Sequence, residues 1–419
     1  MAHKPNAVIA HDDRYNRRAC GETASQSVSD DVAPRDLRAK NALGNGMRMA
    51  DVVVVGGGVI GLTIAYELAG QGRRVAVFDR SQFGSEASWA GAGMLPPGDP
   101  TGAKTPEARL RAASHTRWAD LSARLLEQTG IDNGFRRCGG IQVLPSDLTE
   151  HAAGQVRQWH GEGVIAQLFE DSELRTLEPQ LNPDITTAYH LPQMCQVRNP
   201  RHVKALLAAC IQRNVELSPS DPVVDFETDG ERVIALRTGT GRHEADQFVV
   251  AGGAWSAGLL SRLGVSLPIE PVRGQIVLLT SRPGLLRQVI ELGPRYLVPR
   301  PDGRILVGST EEHAGFDKRS TAQGVSGLLQ LATRLVPVLE DAQLERSWAG
   351  LRPRSRDGLP YLGFPPRWSN LIVAAGHFRA GLQLSPATGL VVSELLAGSE
   401  PSVPLEGFAC DRHDGPPRP

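Results

Sequence analysis

Four consecutive valines, Val52 to Val55, stand behind Asp51 and run straight into three glycines. Such an unbroken apolar stretch suits a strand of a parallel sheet covered on both faces. Residues 62–69 repeat their apolar positions with helical spacing, and Val75 to Phe78 reads as a second strand closed by Asp79. The small residues between Arg80 and Pro100 predict a loop, and 106–129 one amphipathic helix with Leu110, Trp118, Leu121, Leu125 and Leu126 on its apolar side. From Asn133 the pattern changes to short strand-like pieces, GGIQVLP and AYHLPQ, with a helix between them near 149–163. Pro200 opens a helix through RHVKALLAACIQR, and PVVDFETDGERVIALRT reads as a hairpin turning at Asp229-Gly230. QFVVAGGAWSAGLLSRLG adds a strand, a glycine turn and a helix. PVRGQIVLLT, RYLVPRPDGRILVGST and a helix near 321–336 form a β-rich region. SWAGLRPRSRDGLPYLG, the strand NLIVAAG and a helix over 385–397 then close the pattern.

The order of these pieces predicts an α/β protein with a discontinuous Rossmann-like domain and an interleaved mixed β-sheet domain. Its expected segments are 50–130, 200–262 and 350–400 for the first domain, and 131–199 and 265–349 for the second. Residues 1–48 are polar and lack periodicity, so they read as a disordered extension, and 401–419 as a C-terminal tail. The extension has no apolar core for secretion, and Asp12, Asp13, Asp30, Asp31 and Asp36 argue against an acid-poor transit peptide. Met47 and Met49, just before the first strand, offer an alternative native start.

Gly56, Gly58 and Gly61 stand in GxGxxG spacing directly behind the valine strand, and Asp79 follows Gly56 by 23 residues. In that context the first glycine permits a tight turn, the second lets a pyrophosphate approach the backbone, and the third packs helix against strand. Phosphates then meet the N–H groups at the helix start, here those of Val59 and Ile60. Asp79 is placed to accept ribose hydroxyls. By itself this unit is compatible with NAD or FAD and with many reactions. The following loop carries Ser85, Ala87, Ser88, Ala90, Gly91, Ala92 and Gly93, too small to fill a core, which suits backbone wrapped closely around a flat ligand.

Composition narrows the class without naming it. The 419 residues carry 41% hydrophobic and 22% charged residues and a net charge of −1, which gives no reason to expect nucleic acid or an anionic membrane as partner. Only Lys4, Lys40, Lys104, Lys204 and Lys318 interrupt an arginine-dominated set of bases, so guanidiniums are plentiful for carboxylate recognition. The five scattered cysteines suit free thiols and a cytoplasmic setting. The histidines show no metal-ligand spacing, and no apolar run reaches membrane-spanning length. Homo-oligomerisation is compatible with all of this.

AGAGMLPP, VVAGGAWS, PVRGQ, YLVPR, WAGLRPRSRDGLPYLG and GHFRAGLQLSPATG resemble the flavoprotein amine oxidases of D-amino-acid-oxidase type. Within that group the chain is most similar to the glycine oxidases, which supply dehydroglycine for the thiazole ring of thiamine. The resemblance spans about residues 50–400. It implies non-covalent FAD, since none of the cysteines falls in a motif for covalent attachment. It also implies a small amine or amino acid as substrate and dioxygen as electron acceptor. Ser88, Gly91, Gly93, Met94 and Leu95 then line the flavin, Val223 meets the adenine region, and Arg80 also belongs to the cofactor-binding set. The turn Gly376, His377, Phe378, Gly381, Leu382 and Gln383 closes over the flavin. Related readings are a D-amino-acid or sarcosine-type oxidase or dehydrogenase, and a flavin-binding module without turnover.

A carboxylate substrate calls for a planar bidentate guanidinium. Arg379 in GHFRAG is expected as that clamp, Arg352 in GLRP as a second contact, and Tyr296 in RYLVPR as a hydroxyl donor to the same carboxylate. No general base is needed if the substrate binds as the neutral amine. Arg273 suits either a flavin contact or the capping of a strand, and His377 either tuning of the flavin or positioning of the loop. Asp357 and Gly358 suit a structural turn. Two departures from the family pattern, Trp89 in the small-residue loop and Ala380 after Arg379, bear on substrate size.

Overall fold

The computed structural model describes residues 50–144 and 149–413, so the predicted extension, its two methionines and residues 414–419 lie outside the described residues. Strand Ala50–Val55 pairs in parallel with Val75–Phe78 on one side and Arg242–Val250 on the other. Arg242–Val250 pairs in parallel with Leu371–Ala375, and Val75–Phe78 with Glu216–Ser218. Val55, Phe78, Val250 and Val373 are level in this register, so Gly56, Asp79 and Ala251 emerge together, with Gly376 two residues behind Ala374. The hairpin Asp225–Asp229/Arg232–Arg237 extends the sheet, turning at Gly230 as the sequence predicts.

Helix Val59–Gly70 is apolar nearly all round, Glu67 excepted, because most of it is buried between the sheet, helix Asn199–Gln212 and helix Gly381–Leu396. The last of these contains Pro386, which supplies no N–H, and its first turns are completed from outside. Ser114 Oγ accepts from Ala387 N at 3.0 Å, and Trp118 Nε1 donates to Gln383 O at 3.0 Å. Ser114 and Trp118 sit on either side of a break that the sequence reading missed. The single helix expected over 106–129 is two, Pro106–His115 and Trp118–Thr129. Thr116 Oγ1 donates to Ala113 O (3.1 Å) and Arg117 N to Ser114 O (3.0 Å), a local tightening that ends the first ladder.

A second eight-stranded sheet runs Gln343–Ser355, Ile269–Thr280, Arg304–Gly308, Arg295–Pro299, Val289–Leu292, Gly140–Val143, Thr187–Leu191 and Gln167–Glu170. It is antiparallel except where Val289–Leu292 meets Gly140–Val143. Helix Ala322–Leu335 covers one face, and the other packs against Ala92, Met94, Val156, Trp159 and Met194. The strand Gln167–Glu170 and helix Asp171–Leu177 were not foreseen; their alternation is too short to stand out. Gln343–Ser355 pairs with Ile269–Thr280 along its whole length, so 350–355, assigned by sequence to the nucleotide-binding part, runs in the second sheet. A small sheet of Met94–Leu95, Cys195–Gln196 and Arg136–Arg137 ties the small-residue loop to the inserted region. The segment read as a tail is packed as far as it is described. Val403, Phe408 and Cys410 are buried, Phe408 O accepts from Leu362 N, and Arg412 pairs with Asp357.

Candidate active site

A cavity of about 820 Å³ opens where the parallel strands of the first sheet end, the place where open α/β sheets bind ligands. Its floor is the glycine turn and the start of helix Val59–Gly70. Among the described residues no carbonyl or side chain takes the N–H groups of Gly58 and Ile60, which leaves them to an anion, while Val59 N donates to Ser88 Oγ at 2.9 Å. Asp79 Oδ2 accepts from Gly57 N (2.7 Å) and Oδ1 from Ser81 N (2.8 Å). Burial raises the Asp79 carboxyl and these two N–H groups oppose the rise. Arg80 lies over the Trp255 ring at 3.6 Å and pairs with Glu86 at 2.7 Å, and Val223 lines the same end. Gly56, Gly58, Val59, Ile60, Asp79, Arg80 and Val223 thus come together. Gly61 does not reach the cavity: a Cβ there would stand 1.8 Å from Gly56 O, so its service is packing helix on strand.

Ser88, Gly91, Gly93 and Met94 form one wall. The loop is not pure coil but a turn of helix, Ala87–Ala90, and the strand Met94–Leu95. Its glycines answer to protein as well as to ligand: a Cβ on Gly93 would stand 2.0 Å from Val197 O, and one on Gly91 2.8 Å from Asn199 Nδ2. Two residues that the sequence reading missed hold this wall. Asn199 Nδ2 donates to Ser88 O (3.0 Å). Buried Arg300 donates to Ala92 O (2.7 Å), Gln196 Oε1 (2.5 Å) and Val197 O (2.9 Å), and burial pulls its pKa down to about 9. Its place in YLVPR was the available signal. Leu95, expected at the flavin, points instead into the core with Trp118, Cys195 and Val197, because strand alternation turns it away from Met94. Trp89 does not line the cavity either; it stacks edge-on against Trp348 at 5.3 Å.

The opposite wall is the turn Gly376, His377, Phe378, Arg379, Ala380, Gly381, Leu382 and Gln383. Phe378 adopts φ 46°, unusual for a bulky residue, and its N–H donates to Pro353 O at 2.9 Å. His377 bridges to Arg354, so the turn is stitched to the strand that bears Arg352. The His377 ring pairs with Thr388 Oγ1 at 3.1 Å, and burial pushes its pKa down to about 3, which keeps it neutral. Gln383 Nε2 donates to Pro96 O at 2.6 Å, joining the two walls.

Arg352, Tyr296 and Arg379 meet at the end of the cavity faced by the second sheet. Gly274 lies where the Arg352 guanidinium passes: a Cβ there would stand 2.3 Å from it. Gly308 makes the same room for the Tyr296 ring, at 2.5 Å. Arg352 donates to Ser309 Oγ (2.5 Å) and Thr310 O (3.1 Å), both neutral, so its charge has no counter-ion among the described residues. Arg379 is different. It is partly exposed at the rim and paired with Glu311, a residue the sequence reading did not single out. Arg273 does not reach the cavity: it is buried and pairs with Glu312 (2.9 Å) and Asp317 (3.2 Å), which decides its open role for structure.

Several known proteins are similar to this chain in sequence and fold. The family model described as DAO, FAD dependent oxidoreductase, matches residues 51–395. A glycine oxidase of Pseudomonas putida is 38% identical, across 85% of this chain and 97% of that protein. The bifunctional protein ThiO/ThiG of a Synechocystis species is 35% identical, across 87% of this chain and 54% of that longer protein. The crystal structure of glycine oxidase from Geobacillus kaustophilus superposes with a TM-score of 0.83 at 37% identity, covering 88% of this chain and all of that one.

Proposed function

Because the chain belongs to the DAO family of FAD-dependent oxidoreductases, we propose that it oxidises glycine or a comparably small amine to the imine. Glyoxylate and ammonia follow by hydrolysis, and the imine of glycine is the form the thiazole of thiamine uses. The observation that carries this reading is a guanidinium without a counter-ion, Arg352, facing a cavity built for a dinucleotide.

The cavity fits FAD. The free N–H groups at the helix start suit its pyrophosphate, Asp79 its ribose, and the small-residue wall and the Gly376–Gln383 turn leave room for a flat ring. FAD held there would supply the two-electron acceptor for the hydride of the substrate Cα, with reoxidation by dioxygen to hydrogen peroxide. Among the described residues no cysteine lines the cavity, which supports non-covalent binding. Arg352 holds the substrate carboxylate with two parallel N–H donors, and Tyr296, beside it, donates its hydroxyl. The sequence reading put Arg379 first; pairing with Glu311 makes it a rim residue that meets the incoming carboxylate instead. His377, neutral and tied to Thr388, positions the turn rather than supplying charge. The two closing walls keep water from the reacting carbon.

Aerobic and anaerobic assays of the purified yellow protein with glycine, sarcosine, D-alanine and D-proline, with peroxide as readout, test this reading. Glycine is expected to reduce the flavin and yield peroxide. Reduction without peroxide, with an artificial quinone as acceptor, would make it a dehydrogenase, and no reduction by any of the four would remove the amine-oxidase assignment.

Glu311 competes with the substrate for Arg379. Partly exposed ion pairs contribute about 0.2–1 kcal/mol, so Glu311→Gln is expected to lower KM for glycine by roughly up to fivefold with kcat unchanged. Raising the salt should narrow the difference between the two proteins.

A further inference from the structure

The register of the second sheet places another side chain beside Tyr296 and Arg352. Glu291 stands opposite Tyr296, Tyr296 opposite Gly308, Gly308 opposite Ile276, and Ile276 opposite Trp348. Opposed residues share a face, and every second residue of a strand returns to it, so Trp348, Gly350 and Arg352 lie in the same field. Glu291, Tyr296 and Arg352 all line the cavity.

The neighbouring arginines have partners, while the Tyr296 hydroxyl, like Glu291, has none among the described residues. Arg352 is held by Ser309 and Thr310, Arg379 by Glu311, and on the far helix Arg111 by Glu162. Glu291 has neither a hydrogen bond nor an ion pair among the described residues, and burial lifts its carboxyl to about 7. A carboxylate in a protein wall without a partner is costly, and it is accounted for when a ligand brings the missing cation or donor. The Arg352 guanidinium reaches past Gly274 to Ser309 and Thr310, beyond strand Arg304–Gly308. That strand is two places from Val289–Leu292 in the sheet, about 10 Å. The backbones that carry Glu291 and the partners of Arg352 thus flank the strand of Tyr296, on the same face of the sheet.

We propose that Glu291 accepts the substrate's amino nitrogen, so that the site reads an amino acid as a dipole with its carboxylate on Arg352 and its N–H donors on Glu291. The proposal rests on the amine-oxidase reading above and adds the determinant that separates an amino acid from a carboxylic acid of the same shape.

The test compares Glu291→Gln with the unaltered holoenzyme, using glycine as substrate and acetate as competitive inhibitor. Acetate engages Arg352 but brings no cation, and the glutamine removes a like charge near it. The ratio of KM for glycine to Ki for acetate is expected to rise at least tenfold, with flavin content unchanged. Glu291→Asp, which keeps the charge on a shorter stem, is expected to lie between the two, and it carries the test alone if the glutamine variant loses its flavin. A ratio within twofold of the unaltered enzyme overturns the proposal, whether or not both constants move together. Failure of the unaltered enzyme to oxidise any amine is a separate result, which sinks the amine-oxidase reading and this proposal with it.

Discussion

Arg352→Ala is expected to lower kcat/KM for glycine by about 2–5 kcal/mol, roughly 30- to 5000-fold, with flavin content and melting temperature nearly unchanged. The guanidinium has only neutral protein partners, Ser309 Oγ and Thr310 O, so removing it leaves no buried acid without its base. A bound carboxylate would lose its bidentate partner and meet the cavity wall instead, with Glu291 near it. Acetate inhibition should disappear with the arginine. Arg379→Ala should cost less than about tenfold, because its charge is already matched by Glu311 at a partly exposed rim. Steady-state kinetics on both variants rank the two arginines. Equal losses, or a larger loss at Arg379, would return the clamp to the turn.

That ranking was not legible in the sequence, for a physical reason. GHFRAG and GLRP each present an arginine in a glycine-rich context, and nothing local separates them. The difference comes from Gly274, which strand register brings beneath the Arg352 guanidinium, and from Glu311, brought to the rim by folding. The nucleotide end was legible because its logic is local: a strand, a turn that needs glycine, a helix start and an acid one strand later all lie within Asp51–Asp79. The DAO-type fold was likewise legible from motifs spread over the chain. Leu95 was misread because the motif was carried over whole, while alternation along Met94–Leu95 sends only one of the two side chains to the cavity. Glu291 left a signal that was not used, a charge inside the apolar strand VIEL, where Ile290 packs into the core behind the sheet.

Gly56→Val is expected to give a colourless, destabilised protein, losing about 3–5 kcal/mol of stability and the ability to retain flavin. Gly56 has φ +112°, a conformation closed to a β-branched residue. A Cβ there would also stand 2.4 Å from Ala251 O, 2.6 Å from Ala251 C and 2.9 Å from Gly252 N, all backbone atoms that cannot rotate away. Relief requires separating the ends of Ala50–Val55 and Arg242–Val250, where Ala251 N donates to Val55 O at 2.8 Å, or losing the bond from Gly56 N to Phe78 O at 2.8 Å. Either change moves two of the turns that line the nucleotide end, so cofactor binding and fold stability fail together. Gly72→Ala separates this from a general glycine effect. Gly72 also has positive φ, +82°, but nothing lies within 4 Å of its missing Cβ, and it is exposed beyond the far end of the helix. That variant should cost only about 1 kcal/mol and stay yellow. The ratio of flavin to protein absorbance and a thermal melt read both outcomes. A Gly56→Val protein with stoichiometric flavin and an unchanged melt would mean that the turn tolerates what its geometry forbids, and that the cofactor is held from the other walls.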